Sequence, residues 1–112
     1  MSDLESKIVG DCRKYINDLP QARAIKVHGS QMGNGGEPDI DACVRGRCCK
    51  IEVKRPGREP TPRQYSILRK WEAAGALAGY VTSVDELKEL LRHVEDPAWR
   101  NPDLVRRPSE PM

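Results

Sequence analysis

The stretch GEPDIDACVRGRCCKIEVKRPG, residues 36–57, decides how the rest of the chain is read. Two short runs in it alternate between apolar and polar residues, the period of a β-strand with one face on a core. Arg45-Gly46 separates them and reads as a two-residue hairpin turn. With that turn, Cys43 stands opposite Cys48, Asp41 opposite Lys50, Ile40 opposite Ile51, and Asp39 opposite Glu52. The acids Asp39 and Glu52 then share one face, and Lys54 joins them two residues on. Ile40, Ile51 and Val53 take the other face, towards a core. Opposed residues have Cβ atoms about 4.5–5.5 Å apart, and like charges so placed repel. Two arrangements relieve the repulsion: a solvated edge with Lys54 partly cancelling it, or a divalent cation between the carboxylates. A register slip of one residue would send the two acids to opposite faces.

Working outward, residues 3–17 carry Leu4, Ile8, Cys12, Tyr15 and Ile16 at helical spacing,. Ser2 followed by Glu5 fits a capping box. AIKVH, residues 24–28, reads as a short strand, and GSQMGNGGEP as a glycine-rich loop,. The hairpin predicts strands at 39–44 and 48–54. A proline-stiffened basic loop, 55–60, leads to a helix capped by Thr61, with Pro62 at its first position and Gln64 completing the box. Gly75 stops that helix. LAGYVT, 77–82, is a fourth strand. Ser83 and Glu86 open a last helix, whose Val84, Leu87, Leu90, Leu91 and Val94 share one side. The order α-β-β-β-α-β-α predicts an α/β domain over 1–94, with a mixed central sheet flanked by helices. Residues 95–112 read as a proline-rich tail, ordered where Trp99 or Leu104 finds a groove.

The chain has 112 residues and a net charge of only +2. The charge is uneven: from Arg45 to Lys70, nine Lys/Arg face two acids, Glu52 and Glu59, a local excess of +7. A basic block enclosing paired carboxylates suits a polyanionic partner held against an acid-bearing site. No secretory or membrane-spanning run is present, so the expected location is cytoplasmic, with reduced thiols as the default. Cys12, Cys43, Cys48 and Cys49 do not form a usual zinc pattern, because adjacent strand residues point to opposite faces. Small buried thiols are the plainer expectation.

Pro38-Asp39, twelve residues, then Glu52-Val53-Lys54 resembles the PD-(D/E)XK nuclease motif. The surrounding GEPDI, IEVKRPG, TPRQ and WEAAGALAGYV resemble the VRR-NUC subfamily, from the first helix to about Val94. The resemblance implies a restriction-endonuclease-like core and metal-dependent hydrolysis of DNA phosphodiesters. It makes Asp39 and Glu52 side-chain ligands of Mg²⁺ or Mn²⁺, and the Val53 main-chain carbonyl a third ligand. Lys54 would position the water and stabilise charge at the phosphate. Glu5 matches an acid near the metal, a further candidate ligand, and Gln64 a glutamine on the helix after the motif. Both also have capping roles open to them.

Lys26, Arg55, Arg58 and Arg63 are the expected phosphate contacts, which position DNA without reading its sequence. Small stand-alone members of the subfamily, chiefly viral, are homodimers that cut branched DNA such as four-way junctions, so the resemblance also implies a homodimer and a phage or prophage setting. Met32, Trp71, Leu77 and Tyr80 are candidates for a partner surface, against plain core packing. Three alternatives stand beside this reading: a less selective or flap-cutting nuclease with a partner protein, a DNA-binding module without turnover, and a redox or metal-storage protein built on Cys48-Cys49.

Overall fold

The alternation around Arg45-Gly46 becomes a hairpin of β2 (Ile40–Val44) and β3 (Arg47–Val53). The structure is a computed structural model and describes residues 3–27 and 36–104. The register is the one the turn demands: Val44 pairs with Arg47, Cys43 with Cys48, Asp41 with Lys50 and Ile40 with Ile51. Arg45 (φ 48°) and Gly46 (φ 83°) are both left-handed, as a two-residue turn matching strand twist requires,. Arg45 is held there by its amide, which donates to Gln21 O (2.8 Å), and by an ion pair with Glu95 (2.9 Å).

β1 (Ala22–Lys26) lies antiparallel on one side of the hairpin, and β4 (Leu77–Val81) lies parallel to β3 on the other. The sheet runs in the order β1-β2-β3-β4, mixed as expected. The parallel step is made by α2 (Pro62–Ala73), whose N-cap Thr61 accepts a bond from Gln64 N. Gly75 (φ 105°) takes the left-handed conformation beyond its C-terminus,.

α1 (Asp3–Asn17) and α3 (Val84–Leu91) cover one face of the sheet. Between them and the sheet lies the main core, with Cys12, Ile16, Ile40, Val44, Cys49, Ile51 and Leu87 fully shielded. Burying each such Ile or Leu contributes about 1.5–3 kcal/mol. The other face packs on α2 through Tyr65, Leu68 and Ala78. Leu77 belongs to the main core and is 1% exposed, so its expected role on a partner surface is corrected. Trp71 and Tyr80 pack against the α2 cluster, and Met32 lies outside the described residues.

The segment after α3 is docked as far as Leu104. Trp99 packs on the main core and stacks flat on His93, with centroids 3.8 Å apart. Leu104, in a short 3₁₀ turn (Pro102–Leu104), joins the α2 cluster. Buried Asn101 donates from its side chain to Ala78 O (2.8 Å), and its backbone amide donates to Glu72 (2.7 Å). Arg47 ties the same region to the hairpin, donating to the carbonyls of His93, Asp96 and Gly75.

Candidate active site

The acids meet at the end of the hairpin away from its turn. Asp39 is one residue before β2, where its carbonyl accepts from Val27 N (2.8 Å) and continues the β1 ladder. Its carboxylate Oδ2 accepts from Val53 N (2.8 Å), which fixes the side chain across the hairpin. Glu52 lies on β3, paired with Tyr80 of β4 on its other side. Lys54 follows the last residue of β3, and its amide donates to Val81 O (3.0 Å), prolonging the parallel ladder. The three side chains sit at the carboxyl end of β3, where open α/β sheets place ligands.

Glu52 is 3% exposed, so solvent does not relieve its repulsion with Asp39. Its Oε2 is the buried side-chain oxygen or nitrogen left without a hydrogen-bond partner among the described residues. Burial pushes its carboxyl up to about 9, helped by a hydrogen bond with Asp39 and by the Asp39 charge, while Lys54 pulls it down. A shielded, unsatisfied carboxylate oxygen beside a second carboxylate fits a hard divalent cation. Among the described residues, no group of three or more His, Cys, Asp or Glu side chains gathers at such a site.

Glu5 reaches the same end of the sheet. Its Oε2 accepts from Arg55 N (3.2 Å), the first residue after Lys54, and its charge raises Glu52 slightly. Ser2, its rival partner in a capping box, lies outside the described residues. Gln64 is placed otherwise: its Oε1 accepts from Thr61 N (2.9 Å), so its side chain serves the helix cap. Here the capping role holds the group that the resemblance assigns to the site.

The approach to Asp39 is built by contacts that sequence reading missed. Gly36 (φ 113°) passes so close to α2 that a Cβ there would meet Ile67 at 2.8 Å and Arg63 at 3.3 Å. Glu37 accepts from the Trp71 indole (3.1 Å), and Pro38 is fully buried. Lys50 lies over the other part of this arrangement, 3.9 Å from the Trp71 ring and 2.6 Å from Asp41. α2 thereby holds both the entry to β2 and the strand beside it. The partners lie 34 positions apart in the chain, and neither Glu37 nor Trp71 has a local pattern that points to the other.

The basic block divides. Arg45, Arg47 and Lys50 are used inside the fold. Arg55, Arg58 and Arg63 follow the acids on the loop and on the first turn of α2, with Arg58 and Arg63 exposed. Lys26 pairs with Ile40, so its Cβ leaves the sheet on the α1 side, away from the face of Glu52,. Its expected phosphate contact would therefore lie on the opposite face of the sheet from the acids,.

A solved structure described as a VRR_NUC domain is similar to this chain, with a TM-score of 0.68 and 23% identity, over 82% of this chain and 98% of that chain. The fold is that of a VRR_NUC domain. Comparisons with protein-family models and with curated proteins return no match. Within the VRR_NUC fold, the mixed four-stranded sheet and three helices are those expected from the motif order.

Proposed function

We propose that this protein is a metal-dependent DNA endonuclease. The observation that carries the reading is Glu52: a buried carboxylate with an unsatisfied oxygen, beside Asp39 and Lys54, in a VRR_NUC fold. Asp39, Glu52 and the Val53 carbonyl would hold Mg²⁺ or Mn²⁺, both of which favour oxygen donors. When bound, such an ion supplies Lewis-acid charge relief at the phosphoryl group. Glu52 must be ionised to hold it, so its proton leaves to solvent. Lys54 offers its ammonium to the scissile phosphate and orients the water. Glu5 supports the loop after Lys54 through Arg55 N. Gln64 would act at the phosphate only after releasing Thr61.

Arg55, Arg58 and Arg63 would hold flanking phosphates, an interaction that weakens as salt rises. Selection would come from DNA shape, with four-way or otherwise branched DNA as substrate and a homodimer supplying two sites for paired cuts. Among the described residues, no helix is long and apolar enough to cross a membrane. An intracellular, phage or prophage role belongs to the same proposal.

The test is cleavage of matched linear duplex, flap and four-way junction DNA with Mg²⁺ or Mn²⁺, beside Lys54→Ala and Asp39→Ala. Paired cuts in the junction alone, lost in both variants, are expected. Cutting of all three substrates would remove the junction preference. No metal-dependent cutting, or cutting unchanged in the variants, would turn the reading to a DNA-binding module.

A further inference from the structure

The four cysteines sort into two pairs that the spacing alone did not separate. Cys12 and Cys49 are buried, and burial pushes their thiols up to about 11 and about 12, which keeps them protonated and inert,. Cys43 and Cys48 are exposed and free, and they are direct partners across β2 and β3. Cys48 and Cys49 are neighbours in sequence but leave the strand on opposite faces, so they are not the reactive pair.

The turn fixes the geometry of Cys43 and Cys48. Val44 and Arg47 close the two-residue hairpin and form its first hydrogen-bonded pair,. Pair types alternate along an antiparallel ladder, so Cys43 and Cys48 are a non-hydrogen-bonded pair, with Cα atoms about 4.5 Å apart. A disulfide spans Cα separations of about 4.4–6.8 Å, so the bridge closes with little backbone movement. The pair lies near the turn, while Asp39 and Glu52 lie at the other end of the same hairpin.

We propose that Cys43 and Cys48 form a dithiol site that small-molecule disulfides of the glutathione class oxidise to a reversible cross-strand bridge. The thiolate of one cysteine attacks the oxidant's disulfide, forming a mixed disulfide and releasing one thiol. The second cysteine attacks the protein sulfur of that mixed disulfide and releases the other thiol. Two protein thiols and one disulfide become one protein disulfide and two small thiols. An exposed bridge at the short end of the permitted separation belongs to the labile class, reopened by reduction. It would stiffen the hairpin that carries the acids without touching them. This inference does not depend on the nuclease reading.

The experiment treats the reduced full-length protein with oxidised glutathione, then denatures it in excess N-ethylmaleimide and measures intact mass. Two maleimide additions instead of four, no retained glutathione, and full recovery to four after dithiothreitol are expected. Trypsin cuts after Arg45, Arg47 and Lys50, so the bridge will join a peptide containing Cys43 to Cys48-Cys49-Lys50, with fragmentation placing the maleimide on Cys49. Cys48→Ser should instead retain one glutathione on Cys43, because no second thiol displaces it. Four maleimides on the treated wild-type chain, persistent glutathione on it, a link between two chains, or a bridge involving Cys12 or Cys49 would each overturn the proposal.

Discussion

Glu52 is placed where its charge is least welcome: shielded from water and next to another acid. Its carboxyl titrates near 9 in the fold against 4.5 for an ordinary glutamate. Between those values the folded protein keeps a proton that the unfolded chain has lost. Stability from this group is therefore complete below about pH 4.5 and falls as pH rises towards 9. Glu52→Gln removes the penalty, so it should raise the melting temperature of the metal-free protein, more at pH 8 than at pH 5, in paired thermal scans. The same variant should abolish metal-dependent cleavage. Added Mg²⁺ or Mn²⁺ should raise the melting temperature of the wild-type protein at pH 8 and leave Glu52→Gln nearly unmoved. An equal shift in both would place the ion elsewhere.

At the scale of elements, the hairpin and α2 share control of the site. The hairpin sets the register of Asp39 and Glu52, and α2 fixes the residues that lead into it. Gly36→Ala meets both a left-handed φ of 113° and a 2.8 Å approach to Ile67. It should cost about 1–3 kcal/mol, read by urea denaturation. Trp71→Phe keeps a ring beneath Lys50 but loses the indole bond to Glu37. The expected cost is about 0.5–1.5 kcal/mol by the same measurement. The hairpin register, the helix caps at Thr61 and Ser83, and the parallel crossover were all legible in the sequence, because turn chemistry and period act locally. The role of Gln64 was not legible, since one T-x-x-Q pattern serves a cap or a site equally well. In the fold its side chain accepts from Thr61 N and serves the cap.

Across the whole molecule, the segment after α3 is part of the packing as far as Leu104. Asn101 fills the space over Gly79, where a Cβ would stand 2.7 Å from its Nδ2. Asn101→Ala leaves the buried Ala78 carbonyl without its donor and should cost about 1–3 kcal/mol in thermal or urea unfolding,. Deleting residues 95–112 should lower the melting temperature far more than deleting residues 105–112, which keeps Trp99, Asn101 and Leu104. Equal effects of the two deletions would contradict the docking of Trp99, Asn101 and Leu104. Sequence reading anticipated grooves for Trp99 and Leu104 but not Asn101, because a polar residue between prolines resembles a loop until its buried partner is known.

The sequence by itself determined the element order, the hairpin register and the meeting of Asp39 with Glu52. Each follows from side-chain period, a two-residue turn and capping residues close together in the chain. Tertiary structure alone decided that Glu52 is shielded while Asp39 is partly open. It also decided that Lys26 leaves the sheet on the far side, that Arg45, Arg47 and Lys50 are used within the fold, and that Cys43 and Cys48 are exposed while Cys12 and Cys49 are not. Burial and charge pairing depend on which surfaces distant segments cover, and no local pattern encodes that.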